Sequence, residues 1–180
     1  YIEKFYYEMF KVFLSRLDKL DSHHVSGVIS SYFDTMAFDM YDSRRTTSGM
    51  QEKGHHGGPC VPGAQRLFMD INGIFYPCEK VSEESQVMRI GDVHSGFDID
   101  RVRKLLNIGQ LTGEKCKNCW AYRFCQLCAS HADNNDSLSA AKKSSYCVRS
   151  TESAEGFFMD YCTLMELGYD FEKRRMGNLF

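Results

Sequence analysis

A dense group of cysteines constrains the fold of this chain more than any other feature of its sequence. Four of them occur within thirteen residues, in the pattern Cys-x2-Cys-x5-Cys-x2-Cys: Cys116, Cys119, Cys125 and Cys128. The other four lie outside this stretch: Cys60, Cys78, Cys147 and Cys162. Thiols spaced this closely can converge on one inorganic centre, because an x2 spacing lets two thiolates bind it together.

An even number of cysteines is also typical of small secreted proteins with disulfides. The amino end has neither a basic segment followed by an apolar core nor a small-residue cleavage site. We therefore expect a cytoplasmic protein rather than an exported one. In a reducing cytosol, clustered thiols are more often metal ligands than disulfide partners, and we interpret these cysteines as ligands.

Two kinds of metal centre fit such a motif, a tetrahedral Zn²⁺ ion and an iron–sulfur cluster. A zinc ribbon separates its two Cys-x2-Cys pairs by about fifteen or more residues, so that two turns face each other across one ion. Only five residues intervene between Cys119 and Cys125. The spacing therefore favours an iron–sulfur cluster over zinc.

Bulk composition excludes two other functional classes. The chain carries 22 Lys and Arg against 24 Asp and Glu, without a dense basic run, so we expect no nucleic-acid partner. No apolar run reaches the roughly 18 residues that a membrane-spanning helix needs, so we expect no membrane association.

Two helical segments and a linker are predicted at the amino end. Apolar residues recur at helical spacing through residues 1 to 20. A second segment covers Val25 to Met40, and its predicted inward side chains are Val28, Ile29, Tyr32, Phe33 and Met36. The polar, glycine-rich stretch from Tyr41 to Gly58 predicts a linker and a domain boundary. Because the chain opens at Tyr1 within a periodic helix, we expect a longer parent polypeptide.

A β-hairpin is predicted between two of the cysteines. Leu67 to Asp70 and Ile74 to Tyr76 flank Asn72-Gly73, a dipeptide that favours both positive φ angles of a type I′ turn. Cys60 precedes the first strand and Cys78 follows the second. Both thiols are therefore expected at the open end of the hairpin, on the same side.

Two further helices are predicted beyond the hairpin. Asp98 or Asp100 is expected to cap a helix that runs to Ile108 and ends at Gly109. A last helix is predicted from about Thr151 to Leu167, with Gly168 ending it.

The cysteine pattern resembles the SPASM domains that follow the barrel of many radical S-adenosylmethionine (SAM) enzymes. The family pattern begins with a cysteine, nine to fifteen residues, a glycine, four residues and a cysteine. Here twelve residues separate Cys60 from Gly73, and four separate Gly73 from Cys78. The family continues with Cys-x2-Cys-x5-Cys-x3-Cys and one later cysteine, which Cys147 matches. This chain departs from the pattern in the x2 spacing between Cys125 and Cys128.

The resemblance implies two auxiliary [4Fe–4S] clusters. The second auxiliary cluster would be held by Cys116, Cys119, Cys125 and Cys147. The first would be held by Cys60, Cys78 and Cys128, one thiolate fewer than such a cluster normally has. Three sources of a fourth ligand are open: Cys162, one of His55 and His56, or a ligand from outside the chain. We favour the outside ligand, because in the similar enzymes that crosslink cysteine-rich peptides an open iron is thought to bind a substrate thiolate.

Several residues near the motif receive weaker interpretations. Three aromatic side chains between the ligands are expected to shield the second cluster from water: Trp120, Tyr122 and Phe124. His94 and His131 are interpreted as ordinary polar residues.

The resemblance also implies what this chain lacks. The Cys-x3-Cys-x2-Cys signature that holds the SAM-cleaving cluster does not occur, so SAM and a third [4Fe–4S] cluster are expected only in a preceding barrel. The implied parent is a peptide maturase that forms thioether links in a cysteine-containing precursor peptide, with a ferredoxin or flavodoxin as electron donor. Two alternatives remain, the corresponding region of a formylglycine-generating sulfatase maturase, and a standalone zinc or iron–sulfur module.

The predicted fold class is α+β, a small β-hairpin with helices and cysteine-rich loops around two clusters. Three parts are expected along the chain. Residues 1–56 would be the helical tail of a partial TIM-type barrel with a linker, residues 57–150 the SPASM domain, and residues 151–180 a carboxyl-terminal helix.

Overall fold

Apolar residues at helical spacing near the amino end form two helices in the computed structural model, which describes residues 1–43 and 60–172. The first is α1 (Ile2–Arg16) and the second is α2 (Gly27–Ser43), with a short 3-10 helix, Ser22–His24, between them. Val28 and Tyr32 were predicted to face inward and are instead 79% and 44% exposed, while Phe33 is buried as predicted. The first three residues of the predicted linker extend α2, and the rest of it lies outside the described residues.

The chain divides into two compact units, Tyr1–Thr47 with Glu155–Phe180, and Ser48–Ala154. The first unit contains α1, α2 and most of the last helix. Its buried core is built from five side chains: Val12, Phe33, Tyr41, Leu164 and Phe171. The ring of Tyr41 stacks on the ring of Phe171, with centroids 5.0 Å apart.

The second unit contains a four-stranded antiparallel sheet with strands in sequence order. Its strands are β1 (Phe68–Met69), β2 (Ile74–Tyr76), β3 (Gly91–Asp92) and β4 (Gly96–Phe97). Phe68 pairs with Tyr76, which confirms the predicted hairpin. The other two strands have only two residues each and were not predicted.

The turn of the hairpin differs from the predicted type I′ turn. Gly73 has a φ of +77°, whereas Asn72 does not enter the positive region. The Asp70 carboxylate accepts hydrogen bonds from the backbone N–H groups of Asn72 and Ile74, at 2.9 and 2.8 Å. The Gly73 N–H also donates to the Asp70 carbonyl. These bonds stabilise a three-residue loop with one left-handed glycine, a common alternative to the two-residue turn.

Short helices follow the sheet and carry the cysteine motif. They are α3 (Ile99–Leu106), the 3-10 helix Ile108–Thr112, α4 (Gly113–Cys116), the 3-10 helices Tyr122–Phe124 and Ala129–Ala132, and α5 (Ala140–Ser145). The Asp98 side chain caps α3 by accepting a hydrogen bond from the Arg101 N–H. Asp98 is one of the two residues predicted as the cap. The last residue of α3 is Leu106, and Asn107 is its C-cap in place of the predicted Gly109. The 3-10 helix Ile108–Thr112 takes the place of the end of the predicted helix.

The last helix, α6 (Cys147–Glu166), begins four residues before its predicted start. Gly168 ends it with a φ of +82°, as predicted. The Gly168 N–H donates to the Met165 carbonyl and the Tyr169 N–H to the Leu164 carbonyl, the paired bonds of a Schellman motif. The early start places Cys147 at the first residue of the helix.

The core of the second unit lies between the sheet and the helices that follow it. Its buried side chains are Tyr76, Met88, Ile90, Leu105, Ile108, Ala129 and Ala132. Helices and an antiparallel sheet in separate parts of the chain confirm the α+β class. No described helix is both long enough and apolar enough to cross a membrane.

Candidate metal centre

All eight cysteines lie in the described part of the chain, and each is a free thiol. Cys60 is exposed and the other seven are partly buried. None of these thiols is consumed by a disulfide, so all of them remain available as metal ligands.

Four of the predicted ligands line one cavity of about 280 Å³ in the second unit: Cys116, Cys119, Cys125 and Cys147. These are the four residues that the family resemblance assigns to the second auxiliary cluster. Each is carried by a different local element. Cys116 ends α4, Cys119 follows in a turn, Cys125 follows the 3-10 helix Tyr122–Phe124, and Cys147 begins α6.

Backbone and hydroxyl groups position these four thiols. The Cys119 N–H donates to the Cys116 carbonyl at 3.1 Å, which closes the Cys-x2-Cys turn. The Cys116 thiol donates to Thr112 Oγ1 at 3.3 Å, and the Ser150 hydroxyl donates to Cys125 Sγ at 3.5 Å. Thr112 and Ser150 also line the cavity. They orient the thiols and were not identified from the sequence.

A buried lysine lines the same cavity. The Lys143 side chain lies on α5 with its residue only 2% exposed, and its ammonium donates to Thr112 Oγ1 at 3.3 Å. Burial lowers the pKa of Lys143, and the thiols of four cysteines oppose this by favouring the charged form: Cys116, Cys125, Cys147 and Cys128. The cavity therefore combines four soft donors with one buried cationic side chain, and the exposed Lys115 also lines it.

The remaining three predicted ligands line a second, smaller cavity of about 30 Å³: Cys60, Cys78 and Cys128. These are the residues that the resemblance assigns to the first auxiliary cluster. The Gly63 N–H donates to the Pro77 carbonyl at 3.2 Å and joins the segment after Cys60 to the end of the hairpin. The hairpin thus brings Cys60 and Cys78 to the same side, as predicted.

Polar groups lie close to the Cys128 sulfur. The sulfur is 3.1 Å from Ser130 Oγ and 3.6 Å from His131 Nδ1. Burial lowers the pKa of His131. The His131 ring packs edge-on against the Tyr146 ring, with the two ring centroids 5.2 Å apart. His131 was interpreted as an ordinary polar residue, and the structure places it beside a predicted ligand instead.

The cysteines line their cavities but do not form a ready-made site for a single metal ion. Among residues 1–43 and 60–172, no three His, Cys, Asp or Glu side chains are close enough together to hold a single metal ion. A tetrahedral zinc site needs every donor about 2.0–2.3 Å from one centre. The described residues therefore contain no preformed zinc site.

The other predicted site residues have different positions. Cys162 lies in the part of α6 that belongs to the first unit and lines neither cysteine cavity. His55 and His56 lie outside the described residues. Of the three predicted shielding aromatics, Tyr122 lines the larger cavity, whereas Phe124 and the 59% exposed Trp120 do not.

A third cavity, of about 360 Å³, adjoins the smaller cysteine cavity and is apolar. The two share Pro62, Gly63 and Pro77. Its remaining walls include Leu67, Ile90, Phe97, Val102 and Leu105. An apolar space thus borders the three-cysteine cavity.

Comparison of the chain with protein-family models, curated proteins and solved structures found no match.

Proposed function

We propose that this chain is the auxiliary-cluster region of a radical SAM enzyme that modifies a peptide. In this proposal Cys116, Cys119, Cys125 and Cys147 hold one [4Fe–4S] cluster. A second cluster is held by Cys60, Cys78 and Cys128, with a thiolate of the substrate peptide as its fourth ligand. The helices α1 and α2 would be the end of a preceding barrel that contains the SAM-cleaving site.

One observation carries the proposal, the division of seven cysteines between two cavities. The four-and-three grouping is the one that the SPASM resemblance implies from sequence spacing alone. The cavities bring together residues up to 68 positions apart, Cys60 and Cys128, which local chain geometry does not dictate. The match between the cavity lining and the SPASM pattern supports the proposal.

The chemistry of the donor set supports iron–sulfur clusters over zinc. Cluster ligands are thiolates, and the cysteines in both cavities are free. A cluster holds its thiolates around a body of several atoms, whereas zinc draws them to one point. The four-cysteine cavity of about 280 Å³ has room for the larger body, whereas the three-cysteine cavity of about 30 Å³ would have to open to admit one.

A peptide substrate is supported by the surroundings of the three-cysteine cavity. Three protein thiolates leave one iron without a protein ligand, and Cys60 is exposed at this site. The adjoining apolar cavity can accept a side chain next to the reacting cysteine of a peptide. A bound cluster would supply an iron that binds a thiolate and an acceptor for one electron, and a ferredoxin or flavodoxin would serve the parent enzyme as electron donor.

The residues of this chain have separate tasks in such a centre. Thr112 and Ser150 orient two thiols of the larger cavity, and Ser130 and His131 surround the sulfur of Cys128. Apolar side chains in the lining, such as Leu127 and Val148 in the larger cavity and Val81 in the smaller one, lower the local dielectric around the sulfur ligands.

Anaerobic purification of the chain, with iron, acid-labile sulfide and zinc measured together, tests the proposal. We expect about eight iron atoms per chain, four for each cluster. Cys60→Ala and Cys147→Ala should each remove about half of the iron, and the double variant nearly all of it. A colourless protein with stoichiometric zinc would contradict the iron assignment and favour the standalone zinc module.

The open ligand position has its own measurement. In the Cys147→Ala variant, only the three-cysteine centre should retain iron. Addition of a short cysteine-containing peptide should then change the electron paramagnetic resonance spectrum of this centre, and addition of the matching serine peptide should not. An unchanged spectrum with both peptides would favour a fully ligated centre, as in the sulfatase maturase alternative.

A further inference from the structure

We propose that Lys143 is the countercharge of the four-cysteine centre, and that its buried ammonium governs how firmly the centre is held and how readily it is reduced. This inference rests on the proposed function, because it concerns the same cavity. Lys143 is a positioning residue here, since it acts on the centre by its charge and ligates nothing.

The burial of Lys143 is unusual for a lysine. Lysine is among the residues most rarely buried in proteins unless it is paired. Its neighbour Lys142, on the same short helix, is exposed as expected. Lys143 instead lines the wall of the cavity together with the four thiols. Two adjacent lysines on α5 therefore have opposite environments.

The described residues leave the ammonium largely without partners. An ammonium has three N–H donors. Among residues 1–43 and 60–172, Lys143 makes one hydrogen bond, to the neutral Thr112 hydroxyl, and no carboxylate lies within ion-pair distance. Burying an ammonium without an opposite charge costs several kcal/mol. Of the described residues, the cysteines that line the cavity are the groups placed to provide that charge.

A metal centre bound by four thiolates supplies the missing negative charge. Four thiolates carry more negative charge than a zinc ion or an oxidised [4Fe–4S] core carries positive charge, so the complex as a whole is an anion. Coulomb attraction between this anion and a buried ammonium is strong, because the dielectric inside the protein is low. The lysine therefore stabilises the loaded centre and destabilises the empty cavity.

The charge of Lys143 also affects the reduction potential of the centre. Reduction adds one more negative charge to the complex, and a nearby cation stabilises the reduced form more than the oxidised form. Charge near a cluster is one of the factors that set its potential. Removal of the lysine charge should thus make the centre harder to reduce.

The experiment compares four versions of the full chain in a Cys60→Ala background, where only the four-cysteine centre retains iron. Lys143→Met keeps the approximate volume and removes the charge, Lys143→Arg keeps the charge, and Lys142→Met is the matched control on the exposed neighbour. We expect Lys143→Met alone to shift the midpoint potential to more negative values and to lose iron to a chelator several times faster. An unshifted potential and an unchanged rate of iron loss in Lys143→Met would overturn the inference.

Thermal unfolding of the metal-free chains separates this role from simple packing. Lys143→Met should leave the metal-free chain as stable as its parent or more stable, because a costly buried charge is gone. Destabilisation of the metal-free chain, equal to that of the loaded one, would contradict the inference and indicate a packing role.

Metal content decides the proposed function separately. If the parent chain binds zinc instead of iron, the proposed function fails, and the rate of zinc loss from Lys143→Met and Lys142→Met still decides the countercharge role. If the parent chain binds no metal at all, both proposals are wrong.

Discussion

The hydroxyl of Ser85 donates a 2.7 Å hydrogen bond to the carboxylate of Asp133, across 48 residues of chain. Ser85 is 1% exposed, and the same carboxylate oxygen accepts from the Asn135 N–H at 2.9 Å. The Val87 N–H also donates to the Asn135 carbonyl. These bonds join the segment after Cys78 to the segment after Cys128, two cysteines that line the three-cysteine cavity.

We expect Ser85→Ala to destabilise the second unit by roughly 1.5–3 kcal/mol, because a buried hydrogen bond to a carboxylate is lost. Urea unfolding followed by the fluorescence of Trp120, the single tryptophan, measures the change. Ser95→Ala is the control, since Ser95 bonds Asp92 in an exposed loop. It should change the free energy of unfolding by no more than about 0.5 kcal/mol. Equal effects of the two substitutions would show that the Ser85 bond does not stabilise the unit.

Two glycines with the same backbone angle offer a second comparison. Gly73 and Gly96 both have a φ of +77°, which strains any residue with a Cβ atom. A Cβ at Gly73 would also lie 2.1 Å from Val93 Cγ1, whereas a Cβ at Gly96 would meet open space. We expect Gly96→Ala to cost about 1 kcal/mol and Gly73→Ala to cost more, as measured by urea unfolding.

A double variant isolates the contact with Val93. Adding Val93→Ala to Gly73→Ala removes the clashing methyl groups, and the difference between the two glycine positions should then shrink. Val93 is 53% exposed, so Val93→Ala by itself should have little effect. Equal destabilisation by Gly73→Ala and Gly96→Ala would mean that the Val93 side chain rotates away from the new Cβ atom, and that the contact does not add to the cost.

The parts of the fold that could be predicted are those with a strong local signal. Helical spacing predicts α1, α2 and α6, and Asp98 and Gly168 mark two helix ends correctly. The strands β3 and β4 carry no such signal, because each has two residues and one of them is glycine. The turn type was wrong because the Asp70 side chain, rather than the Asn72-Gly73 dipeptide, organises the loop.

The candidate site was predictable in its cysteines and not in their surroundings. The resemblance to the SPASM pattern assigned the seven cysteines to two sets, and the same two sets line the two cavities. Lys143 follows another lysine in a polar stretch, and such a pair normally predicts a solvated surface. Its burial depends on how α5 packs against the 3-10 helix Ile108–Thr112, which is a tertiary property. His131 was missed for the same reason, since its proximity to Cys128 comes from a turn of the chain.

The eighth cysteine gives a prediction about the fourth ligand of the three-cysteine centre. Cys162 lines neither cavity and was one of three sources considered for that ligand. We expect Cys162→Ala to retain all of the iron of the parent chain, with an unchanged electron paramagnetic resonance spectrum. Loss of about a quarter to a half of the iron would identify Cys162 as a ligand and contradict the open position. The Cys60→Ala variant serves as the positive control for iron loss.

An ion pair between α1 and α2 gives the last prediction, for the first unit. Arg16 Nε donates to Asp34 Oδ1 at 2.7 Å and a terminal nitrogen donates to Oδ2 at 2.6 Å, with the Arg16 side chain only 9% exposed. Burial by itself would lower the pKa of Arg16, but the hydrogen bond and charge of Asp34 outweigh it and raise the pKa. Such a two-point contact is stronger than a single surface ion pair.

We expect Asp34→Ala to destabilise the first unit by about 1.5–3 kcal/mol, because it leaves a mostly buried guanidinium without its carboxylate. The better helix propensity of alanine offsets part of this loss, by no more than about 0.5 kcal/mol. Thermal unfolding followed by circular dichroism at the helix band measures the loss. Glu8→Ala is the matched control, since Glu8 pairs with Lys11 within α1 and such a pair contributes no more than about 0.5 kcal/mol. Equal losses in the two variants would mean that the link between the helices contributes no more than a pair within one helix.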